Sequence, residues 1–320
     1  MLEERRRAFE TCVYCPKLCR SACPVSNAEP RETLIPWGKM SSSYFAARGD
    51  VPLEESFASP AWACTGCHAC KGACDHKNDV AGSLLDARDA FVANGLGPAA
   101  SRRVLDRFSS APPTGGALLV GCLYDRRLPD VSRAAASAAK KLFGEVTIER
   151  ACCGLPLRLA GDKKRFEEHA RAFAGRDMIA VDPGCAMALR AAGARVTMLV
   201  ERAAERVADL REGEPRDMRW HDPCQLGRGL GIYDAPRVVL TRVLGRAPLE
   251  FAMRRERAEC SGAGGLLPLT MPENSRTIAK KRIDDADGAE LVTACASSVL
   301  RFRSAGARVS DIVSLIDAAI

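Results

Sequence analysis

Apolar positions along this chain fall into two patterns. Short, mainly apolar runs occur at Ala117–Val120, Met178–Val181, Met218–Trp220 and Leu291–Ala294, with Arg219 and Thr293 as their polar members. They are too short for helices, so each predicts a buried strand. A cysteine follows each run within a few residues: Cys122, Cys185, Cys224 and Cys295. Between them, apolar residues recur at helical spacing. Residues 79–96 place Val80, Leu84, Leu85 and Phe91 about a turn apart, and the segments Pro129–Leu142, Arg165–Phe173 and Pro236–Leu244 read the same way. The stretch with Pro30, Pro36, Trp37-Gly38-Lys39 and Ser41-Ser42-Ser43 predicts a loop with short helices.

The second half of the chain repeats itself. Gly193-Ala194-Arg195-Val196 recurs as Gly306-Ala307-Arg308-Val309, an offset of 113. That offset pairs Asp182 with Cys295 and Cys185 with Ser298, so a C-x2-C element has lost a different cysteine in each copy. A slightly shorter offset aligns Cys152-Cys153-Gly154 with Cys260-Ser261-Gly262. Strands alternating with helices predict two small α/β modules, with ligands gathered beyond the strand C-termini. Before them lies a mainly helical segment, making the fold class α+β and α/β. The expected organisation is 1–97, a linker at 98–116 rich in Pro and Gly, then modules at 117–210 and 216–320.

Cysteine changes the picture most. The chain of 320 residues has 15, and all fall into these groups. Disulfide frameworks belong mostly to small secreted domains, and Met1-Leu2-Glu3-Glu4-Arg5 begins without an apolar leader region. No run reaches 18 apolar residues, so no membrane span is expected. Cysteines of a reducing, cytoplasmic protein are ligands or reactive thiols. Cys64-x2-Cys67-x2-Cys70-x3-Cys74 has the bacterial ferredoxin spacing, and Cys12-x2-Cys15-x3-Cys19-x3-Cys23-Pro24 has one extra residue in its second gap. In such pairs the fourth cysteine of each run serves the other cluster. One [4Fe-4S] cluster is therefore expected on Cys12, Cys15, Cys19 and Cys74, and a second on Cys64, Cys67, Cys70 and Cys23. Zinc also binds four thiolates at short gaps, which leaves a zinc-stabilised scaffold as an alternative. His68 and His76 are expected to be hydrogen-bonding or surface groups.

In the first module Cys122, Cys152, Cys153 and Cys185 suffice for a cubane or an unusual cluster, with a Cys152–Cys153 redox disulfide as a further option. The second module offers only Cys224, Cys260 and Cys295, with Ser261 and Ser298 nearby. It reads either as a cluster with an open iron or as scaffold. His221, before Asp222 and Cys224, is a candidate proton relay or quinone contact. Arg228 and Arg237 are candidates for stabilising cluster charge or docking a partner. His169 reads as exposed. The formal charge of +7 falls by about 4 once two thiolate-bound clusters are counted. Aromatic content of 5% offers no base-stacking platform; no nucleic-acid partner is expected. The glycines after Cys260 match no nucleotide fingerprint.

The two cysteine-rich modules resemble the CCG domains of heterodisulfide reductase-type proteins, and the front end makes the chain similar to the D-type subunit and to iron–sulfur subunits of glycolate oxidase. The resemblance implies an iron–sulfur subunit of a multi-subunit oxidoreductase. It implies electron transfer from a flavoprotein dehydrogenase or electron-transfer flavoprotein to a quinone or other acceptor, with peripheral membrane association or a membrane subunit as options. In that family a full CCG module holds a noncubane cluster on five cysteines. The correspondence implied here is Cys122, Cys152, Cys153 and Cys185, with Asp182 in the missing cysteine's place. In the second module it is Cys224, Cys260 and Cys295, with Ser261 and Ser298 replacing cysteines. These departures favour electron relay over disulfide cleavage. The alternative is catalysis at a CCG-bound cluster, reducing a disulfide or a quinone directly.

Overall fold

The computed structural model describes residues 2–17 and 19–320. The chain forms two compact units, each gathered from separate segments. The first unit comprises residues up to Phe108, Pro156–Glu168 and Glu259–Lys281; the second comprises Ser109–Leu155, His169–Ala258 and Arg282–Ile320.

The first unit is helical, as the front end predicts. Its core gathers Phe9, Met40, Tyr44, Trp62, Leu84 and Phe91. The largest departure from expectation is Pro36–Arg48, which is one helix of 13 residues rather than a loop with short helices. Proline is tolerated in the first turn, where its missing N–H costs nothing. The polar serines that suggested a loop satisfy themselves or bury: Ser43 Oγ donates to the Lys39 carbonyl at 3.0 Å. Gly49, at φ 81°, ends the helix in the left-handed conformation that glycine adopts freely.

A fully buried arginine ties the unit's segments together. Arg88 lies on the predicted helix, observed as Val80–Val92, and is 1% exposed. Its guanidinium donates to the carbonyls of Ala61 (3.0 Å), Cys64 (3.0 Å), Leu159 (2.8 Å) and Gly265 (3.2 Å). These acceptors come from all three segments.

The second unit holds two parallel sheets. The first has the order β1 (Leu118–Leu119), β2 (Asp177–Ala180), β3 (Arg195–Met198). A parallel bridge from Leu118 to Ile148 extends it at the β1 edge. The second has the order β5 (Leu249–Glu250), β4 (Arg219–Trp220), β6 (Leu291–Thr293), β7 (Val309–Asp311). The internal repeat is visible throughout. Helix Pro183–Ala191 follows β2 and helix Ala296–Ser304 follows β6, 113 residues on. The repeated Gly-Ala-Arg-Val stretches form the turns into β3 and β7, with Gly193 at φ 86° and Gly306 at φ 91°. The architecture is thus a helical segment followed by small α/β modules, as the alternating pattern implies.

Glu149 anchors the edge of the first sheet. Its buried carboxylate accepts from the Thr114 and Ala151 amides at 2.9 and 3.0 Å and pairs with Arg176 at 2.8 Å. Burial alone would raise its pKa, but those amides and Arg176 outweigh it and bring it to about 2. A depressed carboxylate stabilises the fold above its unfolded value and loses that contribution as pH falls through its folded value. The stability difference between the native protein and Glu149→Gln should therefore be largest above about pH 5 and shrink as pH falls toward 2, as followed by denaturant titration. Arg88→Leu would take the guanidinium donor from four carbonyls, those of Ala61 and Gly265 in buried bonds. It should cost about 1–3 kcal/mol for each acceptor left unpaired in the interior, read as a lowered denaturation midpoint of the first unit.

Candidate metal centres

The two compact cysteine runs meet inside the first unit. Cys12 ends a helical face (Arg6–Val13) and is buried with Phe9. Cys12, Cys15, Cys19 and Cys74 line one small enclosed cavity, with Cys70, Trp37, Asn78 and His76 beside them. Burial pushes the Cys12 thiol up to about 12; the Asn78 amide opposes this, while Cys19, Cys74 and Cys15 add to it. Cys19 rises to about 11 through burial and the nearness of Cys74. Cys70 is also raised, by burial and then by Cys67, Cys64 and Cys23. Cys74 thus lines the same cavity as Cys12, Cys15 and Cys19, and Cys23 lies near Cys70 of the other run. Asn78 Nδ2 donates to Cys12 Sγ at 3.0 Å, Lys39 Nζ to Cys23 Sγ at 3.3 Å and the Gly66 amide to Cys64 Sγ at 3.4 Å. His68 sits 3.8 Å from Asp79, and His76 borders the cavity.

In the second unit, four further thiols converge. Gly121, at φ 107°, turns the chain out of β1 so that Cys122 opens helix Cys122–Arg127. A Cβ on Gly121 would lie 3.3 Å from Cys185 Sγ, so this glycine lets the two cysteine-bearing segments approach. Cys122 Sγ is 3.6 Å from Cys152 Sγ. Contact with Cys152, then burial, raises the Cys122 thiol far above its ordinary value. Cys153 touches both Cys152 and Cys185. The Cys152 contact lowers its pKa, but the Cys185 contact and burial raise it well above the usual range. Cys185 stands at about 11: its contact with Cys153 lowers it, and burial with the Asp182 charge prevails. The order Cys122–Cys152–Cys153–Cys185 is thus a continuous line of sulfur contacts.

Asp182 sits at the paired position the repeat assigns to a cysteine. It caps helix Pro183–Ala191: one oxygen accepts from the Gly184 and Cys185 amides at 2.9 and 3.3 Å. The other accepts from the Ala296 amide at 3.1 Å, at the start of the equivalent helix. Cys295, its repeat partner, is buried and raised to about 12, first by burial and then by Asp182; Ser298 and the Ser297 amide bond its sulfur.

The second set of cysteines is divided. Cys224 and Cys295 follow the neighbouring strands β4 and β6, while Cys260 lies in the segment that belongs to the first unit. There the Gly262 amide donates to Cys260 Sγ at 3.3 Å. His221 is 1% exposed. Its Nδ1 accepts from Arg282 Nε at 3.2 Å, and its ring stands edge-on to Phe302. Burial and then the Arg282 charge push its pKa well down. Arg237 is held by Asp222 and Glu250, and Arg228 by the Glu256 and Ala258 carbonyls.

His169 departs from expectation. It is half-buried, and its Nε2 lies 2.6 Å from the Cys152 carbonyl. The charged helix around it gave no sign of this; only the fold brings residue 169 back to residue 152.

The thiols fit iron–sulfur clusters better than isolated ions. Among the described residues no three Cys, His, Asp or Glu side chains converge on one metal position. In a cluster each thiolate binds a different iron, so the thiols need not converge on one metal position. Buried thiols with raised pKa values release their protons only to a strongly cationic centre, which is the coupling that cluster assembly requires.

Similar proteins point to iron–sulfur binding in general. A 4Fe-4S dicluster domain matches residues 8–78, and a cysteine-rich domain matches residues 117–190 and 218–302. The chain belongs to the family of iron–sulfur oxidoreductase subunits that join a 4Fe-4S dicluster domain to two cysteine-rich CCG domains. It is 28% identical over 315 residues to the B-type subunit of the fumarate reductase (CoM/CoB) of Methanothermobacter marburgensis, covering 85% of this chain and 62% of that protein. It is 24% identical over 353 residues to the D-type subunit of the dihydromethanophenazine:CoB–CoM heterodisulfide reductase of Methanosarcina mazei, covering 92% and 86%. Lactate utilization protein A of an Exiguobacterium species is 27% identical over 214 residues, covering 58% and 86%. No helix among the described residues is long and apolar enough to cross a membrane.

Removing the Asp182 caps should loosen both repeat helices. Asp182→Ala is expected to lower stability by about 1–2 kcal/mol, measured by denaturant unfolding of protein without iron.

Proposed function

We propose that this chain is the iron–sulfur subunit in which electrons from two cubanes reach a disulfide at a cluster held by the first CCG module. In this reading Cys12, Cys15, Cys19 and Cys74 hold one [4Fe-4S] cluster, and Cys64, Cys67, Cys70 and Cys23 hold the other. Cys122, Cys152, Cys153 and Cys185 hold the third. In sequence terms the parts are 1–97, the linker 98–116, and the modules 117–210 and 216–320. The observation that carries the reading is the line of sulfur contacts from Cys122 through Cys152 and Cys153 to Cys185. Two of the relatives are named for reactions of CoM and CoB, one of them for the CoB–CoM heterodisulfide.

Iron–sulfur clusters supply one-electron steps, whereas cleaving a disulfide takes two electrons and two protons and yields two thiols. The chain's own residues would then hold and tune the cluster. His169 positions the Cys152 backbone through its carbonyl, and Gly121 lets Cys122 and Cys185 close on one centre. His221, neutral and enclosed, is assigned no proton transfer. A flavoprotein dehydrogenase or electron-transfer flavoprotein would deliver the electrons, with a membrane subunit as a further partner.

A second reading is favoured by Asp182. Its oxygens are engaged by three amides, so the first module lacks a fifth thiol, and Ser261 and Ser298 thin the second. The chain would then relay electrons from the flavoprotein to a quinone, with Cys224, Cys260 and Cys295 as scaffold.

Iron analysis of anaerobically purified protein separates the two. The first reading expects about twelve irons, at four per cluster. Cys153→Ser should remove about four of them, leave both cubane resonances, and reduce disulfide turnover with a chemically reduced donor at least about 100-fold. About eight irons with no disulfide turnover in the unsubstituted protein would leave the relay.

A further inference from the structure

The surroundings of the two front-end thiol sets differ in charge. Lys39 is 2% exposed, and its ammonium donates to Cys23 Sγ at 3.3 Å. Arg88 is buried on the same side and donates to the Cys64 carbonyl at 3.0 Å. Both charges favour the Cys64 thiolate. Among the described residues, neither cation has a carboxylate as hydrogen-bond or ion-pair partner; their acceptors are a thiol and backbone carbonyls. The other set is surrounded differently. Asn78, a neutral amide, donates to Cys12 Sγ. Lys17 borders that cavity, but it is 36% exposed, lies over Trp37 and pairs with Glu32 at 3.6 Å. His76 is exposed.

Reduction adds a negative charge to a cluster, so nearby cations and hydrogen bonds to sulfur raise its potential. A buried, unpaired cation acts through a low dielectric. An exposed, ion-paired one is screened. Charge-assisted hydrogen bonds are also roughly twice as strong as neutral ones, so Lys39 outweighs Asn78.

We propose that Lys39, supported by Arg88, is a tuning residue that makes the cubane on Cys64, Cys67, Cys70 and Cys23 the higher-potential member of the pair. The inference rests on the dicluster assignment above. It gives the pair a direction: electrons entering the unit settle on the second cubane. That cubane also adjoins the Cys260 segment, because a Cβ on Gly265 would fall 1.9 Å from the Cys64 carbonyl oxygen, and Arg88 bonds both residues' carbonyls.

The test is a redox titration of iron-loaded protein followed by electron paramagnetic resonance. In the unsubstituted protein the two cubane midpoints should be resolved by at least about 59 mV, a tenfold equilibrium preference for a one-electron couple. Lys39→Met should lower the higher midpoint by about the same amount and leave the lower one in place. Lys39→Arg, which keeps the charge, should restore the separation. Coincident midpoints in the unsubstituted protein would overturn the inference without any variant. So would unchanged midpoints in Lys39→Met at full iron content. Fewer than two cubane resonances in the unsubstituted protein would instead overturn the dicluster assignment, and the inference with it.

Discussion

One guanidinium carries the arrangement of the first unit. Arg88 is enclosed, and four backbone carbonyls from three chain segments point at it. A carbonyl turned inward without a donor is costly, so each segment has a reason to stay where Arg88 reaches it. Two acceptors matter most. The Cys64 carbonyl belongs to the second cysteine run, and the Gly265 carbonyl belongs to the loop that follows Cys260. The backbones are so close there that Gly264 and Gly265 leave no space for a side chain against Thr65 and Cys64. A feature of the second repeat is thereby built into the helical unit. Burial lowers the Arg88 pKa to about 10, and the Cys64 thiolate opposes that fall. The same residue is thus a structural tie and part of the charge environment of the thiols.

The thiol sets impose a second constraint. Burial and the crowding of like groups raise the pKa values of Cys12 and Cys70 in the first unit. In the second, the Cys152 contact lowers that of Cys153, but contact with Cys185 and burial prevail and raise it. An unfilled set of this kind favours neutral thiols, and filling it releases protons. The groups that accept or oppose charge around the sets are therefore informative. Glycines open the approach, as at Gly121. Amides and cations meet the sulfurs, as at Gly66, Asn78 and Lys39. Carboxylates are kept to capping roles, as at Asp182.

Much of this was legible in the sequence, and the reasons are local. The cysteine runs announce themselves because ligand spacing is set by short backbone turns. The expected cross-over of Cys74 and Cys23 follows from the same spacing. The repeat was legible because Gly193 and Gly306 fix the turns into β3 and β7. What stayed hidden depends on tertiary neighbours. Helix Pro36–Arg48 is rich in serine and reads as a loop with short helices until burial and the Ser43–Lys39 bond are seen. Lys39 looks like a surface lysine, and nothing near Arg88 in the chain predicts that it meets Leu159 and Gly265. His169 reaches Cys152 only through the fold. Of the strands, β1, β2, β4 and β6 were legible, while β3, β5 and β7 were not, and β1 is two residues, because Gly121 turns the chain before Cys122.

Asp182 shows how a ligand position changes its use without disturbing the fold. In the repeat it corresponds to Cys295, and both residues stand immediately before equivalent helices. A residue there faces the first-turn amides, which carry partial positive charge. A thiolate in that place can turn its sulfur to a metal and still be favoured by those amides. A carboxylate reaches one bond further and offers two acceptor oxygens, and Asp182 uses both as caps, joining the two helices through Ala296. Cys295 in turn has its sulfur bonded by Ser298, which the repeat pairs with Cys185. Asp182 and Ser298 thus each satisfy backbone or sulfur groups at equivalent helix starts, so the two copies keep the same sheets and helix starts while differing in their thiols.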